Sequence, residues 1–129
     1  MYLLDTSVWI EAFKKSSKFK IDNYYDKNEI VICLPVYQEI LQGIREDQYY
    51  RAVKSALDHS IILENPIPKN IFEEATSIYR QARKMGITIR SSADCLIAAI
   101  AIQNKAVIVH KDRDYKKIAK FTSLEEKSI

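Results

Sequence analysis

The chain has 129 residues, 47% hydrophobic and 29% charged. That balance suits one soluble domain, 1–129, with a real core, and excludes a disordered chain. A formal net charge of +3 is too small to argue for nucleic acid by itself, no apolar run approaches the roughly 20 residues that cross a bilayer, and no secretory leader pattern opens the chain, so the cytoplasm is the expected compartment.

Tyr2-Leu3-Leu4 reads as a short strand ending at Asp5. Thr6 or Ser7 can then cap a helix through about Phe13, with Trp9 and Phe13 on one face. Residues 22–28 read as a short helix or loop. Glu29 to Leu34 is apolar throughout after its first residue and rich in β-branched side chains, as expected of a strand covered on both faces. Pro35 suits the first turn of a helix to about Glu46, on which Val36, Glu39, Ile40 and Gly43 share one face. Tyr49 to His59 has Val53, Ala56 and Leu57 at helical spacing. Ile61-Ile62-Leu63 reads as a short buried strand, and Asn65-Pro66 as a turn. Asn70 to Met85 is predicted as a long helix with Ile71, Ala75, Ile78, Tyr79 and Ala82 facing inward and Gly86 ending it. Ser91 begins the most apolar helix, which runs to about Gln103 and stops at Asn104. Ala106 to Val109 is a fourth strand, a basic helix covers Tyr115 to Lys120, and residues 122–124 are predicted as a short edge strand.

Strands alternating with helices predict an α/β protein, a three-layer sandwich with a short, mostly parallel sheet flanked by helices. Right-handed crossovers put all strand C-termini on one edge, where open sheets bind their ligands. Asp5, Glu39, Asp94 and Asp112 each stand at the edge of a different apolar segment, and such a sheet would gather them. At roughly 4 Å and an effective dielectric near 20, two such charges repel by about 4 kcal/mol. A divalent cation is the simplest group that makes the gathering favourable, and a hard cation held by carboxylates is common equipment for hydrolysing phosphodiesters.

Each acid also has a purely structural reading. Asp5 can cap a helix, although Thr6 and Ser7 could do so in its place. Glu39 can be a salt-bridged helix residue, though its apolar neighbours argue for a packed face. Ser91-Ser92-Ala93-Asp94 matches a capping box. Asp112 and Asp114 can be turn and cap residues, and His110 a hydrogen-bonding residue at a strand end. Glu11, Glu73, Glu74, Glu125 and Glu126 read as surface charges. Cys33 and Cys95 lie in apolar segments and read as buried free thiols, and no Cys/His spacing resembles a zinc site. Basic clusters at Lys14, Lys15, Lys18 and Lys20, at Arg80, Arg83, Lys84 and Arg90, and at Lys111, Arg113, Lys116, Lys117 and Lys120 each read singly as solvated surface, but flanking an acidic centre they would suit a polyanionic substrate.

Four segments in order, Leu3-Leu4-Asp5-Thr6-Ser7, Pro35-Val36-Tyr37-Gln38-Glu39-Ile40, Ser92-Ala93-Asp94-Cys95-Leu96-Ile97-Ala98 and His110-Lys111-Asp112-Arg113-Asp114-Tyr115, resemble the motifs of PIN domains. They look most like those of VapC-type toxins from bacterial toxin–antitoxin pairs. The resemblance implies an endoribonuclease dependent on Mg²⁺ or Mn²⁺. It places Asp5, Glu39, Asp94 and Asp112 at the catalytic positions, with Asp5, Asp94, Asp112 and Asp114 toward the metal. It makes Thr6, Ser7 and His110 accessory, and His110 stands where the family more often carries a small hydroxyl residue. Arg90, Lys111, Arg113 and Lys116 become possible RNA contacts. The implied partners are an RNA substrate, a cognate antitoxin protein and a second copy of the chain, with DNA reached only through the antitoxin and no membrane. The alternative is a catalytically weak PIN-fold module that binds RNA or a partner. Haloacid dehalogenase-like chemistry is disfavoured because it needs a second acid where Ser7 stands. P-loop and dinucleotide readings fail because Gly43 and Gly86 are the only glycines.

Overall fold

The computed structural model describes residues 1–129. In chain order the elements are β1 (Tyr2–Leu4), α1 (Thr6–Phe13), β2 (Ile30–Cys33), α2 (Leu34–Gln42), α3 (Asp47–Asp58), β3 (Ile61–Leu63), α4 (Lys69–Lys84), α5 (Ser92–Asn104), β4 (Val107–His110), α6 (Arg113–Ala119) and β5 (Glu125–Ser128). Two short 3-10 turns, Ile21–Asn23 and Lys27–Glu29, fill the stretch between α1 and β2.

All five strands are parallel, in the order β3-β2-β1-β4-β5. The central strands are buried on both faces: Leu3, Leu4, Ile32, Cys33, Ile108 and Val109 are all solvent-inaccessible. Such burial explains why these segments read as unbroken apolar blocks rather than alternating ones. Helix α5 is the most enclosed, with Cys95, Ile97, Ala98, Ala99, Ile100 and Ala101 all buried. A helix apolar on every side belongs inside a core, and its small alanines let neighbours approach. Because the strands are parallel, α1, α2 and α6 all start at the same edge of the sheet, directly after β1, β2 and β4.

Several expectations are corrected in detail. Helix α2 stops at Gln42 instead of running to Glu46, and Gly43 caps it with ordinary right-handed backbone. The strand expected at 122–124 forms instead at Glu125–Ser128, and only Leu124 before it is buried. Ile61 is 58% exposed because β3 is an edge strand. Ala56 and Tyr79 lie on the exposed sides of α3 and α4, at the margins of the apolar stripes that hold Val53, Leu57, Ile78 and Ala82. Gly86 ends the turn after α4 with φ +75°, a conformation that favours glycine.

Candidate active site

Three short connections deliver the acids to one edge. Asp5 follows β1, Asp112 follows β4, and Asp94 opens α5 in its first turn. Asp5 is itself the N-cap of α1, accepting from the Ser7 backbone N–H at 3.4 Å, so neither Thr6 nor Ser7 caps in its place. Asp112 caps α6 in the same way, its Oδ1 accepting from the Asp114 N–H at 3.0 Å. Capping engages one oxygen of each acid and so does not exclude a second role for either. The capping box expected at Ser91 does not form, since the Ser91 side chain makes no capping bond. Asp94 turns away from the helix end and into the crevice.

Asp5, Asp94 and Asp114 are buried, although each is a carboxylate. The Tyr115 hydroxyl stands between two of them, 3.0 Å from Asp5 Oδ1 and 3.3 Å from Asp94 Oδ1. The second Asp5 oxygen accepts from the Ser7 hydroxyl at 2.8 Å, and that same hydroxyl accepts from the Lys111 N–H. Asp114 Oδ2 accepts from the Arg90 N–H at 3.0 Å. The Arg90 guanidinium spans the remaining acids, 3.1 Å from Asp112 Oδ1 and 3.7 Å from Asp114 Oδ2.

Oxygens from Asp94, Asp112 and Asp114 lie within 4.8 Å of one another. Asp94 Oδ2 and Asp114 Oδ1 are buried and accept no hydrogen bond, although Lys117 Nζ approaches the latter to 3.5 Å. Buried carboxylate oxygens without a donor are costly to leave unpaired. Three convergent carboxylates offering bare oxygens suit a hard divalent cation, with hydrogen-bonded Asp5 standing alongside across the Tyr115 hydroxyl.

The electrostatics agree with the geometry. Burial pushes the Asp94 carboxyl up to about 7, and the negative charges of Asp112, Asp5 and Asp114 push the same way against the Tyr115 hydrogen bond. Glu39, half-buried on α2, is raised by burial and by the nearby Asp5, while the Thr6 hydroxyl acts in the opposite direction. Tyr115 is held well above its ordinary value by burial and by the two carboxylates it touches, so it stays a proton donor. Cys33, close to the same acids, is pushed to about 12 by burial and remains a thiol.

The other expected residues are also placed. His110 is buried and bonds to Asp112 and to Glu126. Lys111 pairs with Glu11 at 3.1 Å, and Arg113 and Lys116 are exposed near the acids on α6. Arg90 faces the carboxylates themselves, although it remains largely exposed. From Glu39 and Arg90 an open groove of about 1120 Å³ continues past Tyr79, Arg80 and Arg83. The sequence alone marks neither Tyr115 nor Glu126 as part of this site. A buried tyrosine seeks a partner for its hydroxyl, and Tyr115 directly follows Asp114, which was the available signal. Glu126 offered none, since it reads as a surface charge.

A PIN domain model matches residues 2–121. The chain is 36% identical to VapC ribonuclease Mb1587 of Mycobacterium bovis, over all of this chain and 99% of that protein. It is equally similar, over the same shares, to Ribonuclease VapC11 of Mycobacterium tuberculosis. Among solved structures it resembles DNA-bound VapBC from Salmonella typhimurium, with TM-score 0.78, 15% identity, 98% of this chain and 96% of that chain. It also resembles VapBC-1 from nontypeable Haemophilus influenzae, with TM-score 0.75, 20% identity and the same coverage.

Two predictions follow from the buried acids. In metal-free protein, both folded and unfolded chains hold the Asp94 proton below about pH 4, and only the folded chain holds it from there to about 7. This group's stabilising contribution is therefore lost as pH rises through that window. Chelator-treated Asp94→Asn should gain on wild type by up to about 4 kcal/mol between pH 4 and 7.5 in urea unfolding. A pH-independent deficit of several kcal/mol in the variant would mean that Asp94 serves the helix end alone. Tyr115→Phe should cost about 1–3 kcal/mol at pH 8, where both acids need its hydroxyl; an unchanged unfolding midpoint would show that the hydroxyl does not hold them.

Proposed function

The chain belongs to the PIN-domain family, and from that membership we propose that it is a metal-dependent endoribonuclease acting as the toxin of a type II toxin–antitoxin pair. The observation that carries the reading is the trio Asp94, Asp112 and Asp114, whose oxygens converge within 4.8 Å in a chain 36% identical, end to end, to proteins named ribonucleases. Asp94, Asp112 and Asp114 would hold Mg²⁺ or Mn²⁺, with Asp5 alongside. When bound, that ion supplies Lewis-acid stabilisation of charge on the scissile phosphate.

The chain's own groups do the rest. Glu39 takes a proton from the attacking water, a task suited to a carboxylate whose proton affinity is raised by burial and by Asp5. The water oxygen bonds to phosphorus as the bond to the ribose O3′ breaks, leaving a 5′-phosphate and, after protonation from solvent, a 3′-hydroxyl. Thr6, buried beside Asp5, lowers the proton affinity of Glu39, while Ser7 and the Tyr115 hydroxyl fix Asp5. Lys111, Arg113 and Lys116 contact phosphates of the RNA, and Arg90 moves between acid and phosphate at the mouth of the site. The groove beyond, with Arg80 and Arg83 on its wall, supports the approach of a polyanion.

The VapBC structures that share this fold, one of them DNA-bound, support a cognate antitoxin as partner; a second copy of the chain as dimer mate, and DNA met through the antitoxin, belong to the same proposal. No helix here is long and apolar enough to cross a membrane. Asp5→Asn and Asp94→Asn should each lower Mg²⁺- or Mn²⁺-dependent RNA cleavage by about 100-fold or more while the protein stays folded. Mapping of new RNA 5′ ends in a bacterium expressing wild type or Asp5→Asn reads this directly. Full activity in either variant rejects the assignment.

A further inference from the structure

His110 closes β4 with its ring 1% exposed, and both ring nitrogens are committed. Nδ1 accepts from the backbone N–H of Asp112 at 3.0 Å. An amide can only donate, so Nδ1 is bare and the ring proton sits on Nε2. Nε2 donates to Glu126 Oε2 at 2.6 Å, a charge-assisted bond from the outermost strand. The parallel register sets Glu126 opposite Ile108, and Ile108 and His110 share one face of β4, so Glu126 reaches diagonally to the ring. The ring also lies 5.1 Å from the ring of Tyr115.

We propose that His110, anchored by Glu126, is a positioning residue that sets the Asp112 carboxylate for metal binding. The Asp112 side chain has one oxygen committed to the Asp114 N–H and Arg90, while its other oxygen is given no hydrogen bond. The direction of that second oxygen depends on the Asp112 peptide, and the His110 ring holds that peptide. An imidazole does this across a longer span than a small hydroxyl could, and its far side must then be tied down. The polar strand β5 supplies the tie, which gives a reason for Glu-Glu-Lys-Ser at the end of a sheet. A ligand's outer support is worth about 10–100-fold in metal affinity.

This inference rests on the metal-binding reading of the acids, and the test separates the two. Mn²⁺ affinity is measured by calorimetry on the full chain, together with the melting temperature of chelator-treated protein. His110→Ala and Glu126→Ala should each weaken Mn²⁺ binding about 10-fold or more; Glu126→Ala should melt close to wild type, whereas His110→Ala also melts lower because it empties a buried site. Glu126→Gln keeps an acceptor for Nε2–H and should bind as wild type does. His110→Asn keeps an acceptor for the Asp112 N–H and should recover part of what alanine loses. Wild-type affinity in both alanine variants would overturn the positioning role and leave the metal site standing. A shared loss of melting temperature and affinity, with no rescue by Asn or Gln, would make the pair merely structural. No Mn²⁺ binding by wild type would overturn the metal reading and this inference together.

Discussion

Mutual repulsion among carboxylates at one edge of a parallel sheet is the constraint around which this molecule is built. The topology makes the gathering unavoidable, because β1 and β4 are adjacent and parallel, with Asp5 next after β1 and Asp112 just past the end of β4. Every offset that the chain can supply is present. The Tyr115 hydroxyl separates Asp5 from Asp94, Arg90 spans Asp112 and Asp114, and Lys117 approaches Asp114 from one turn along α6. Neither Asp5 nor Asp94 has a cation of its own, and Asp94, which accepts only from Tyr115, is the acid whose proton affinity burial and its neighbours push up to about 7. A hard cation would replace that proton, so the repulsion among these acids is what a bound cation would relieve.

Fold and site cannot be separated here. Asp5 and Asp112 start helices α1 and α6 with one oxygen each, and their helix starts fix where the carboxylates sit. Short connections leave the acids little freedom, which is the preorganisation that transition-state stabilisation needs. Residues outside the acidic set extend this order outward, from Asp112 through His110 to Glu126 on β5 and from Asp5 through Ser7 to the Lys111 backbone.

How much of this was legible depended on whether a signal was local. The first four strands announce themselves as apolar blocks, and the acids stand out because each stands at the edge of an apolar segment. Strand β5 is hidden because a polar edge strand carries no apolar pattern; only pairing with β4 makes it a strand. Tyr79 was expected inside because it continues the stripe of α4, yet it lies at that stripe's margin over the groove. Glu126 and Tyr115 gain their roles from neighbours distant in sequence, and Arg90 reads as a free cation until the α6 acids are brought to it. The capping box at Ser91 is a valid local pattern overridden by tertiary structure, since the Asp94 carboxylate accepts from the Tyr115 hydroxyl in the crevice instead.

The most direct test is anomalous scattering from crystals grown with Mn²⁺. A peak bounded by the carboxylates of Asp94, Asp112 and Asp114, with Arg90 withdrawn from Asp112, is the expected result. Manganese bound only elsewhere, with this pocket vacant in protein that still cleaves RNA, would contradict the convergence of these acids into a single cation site.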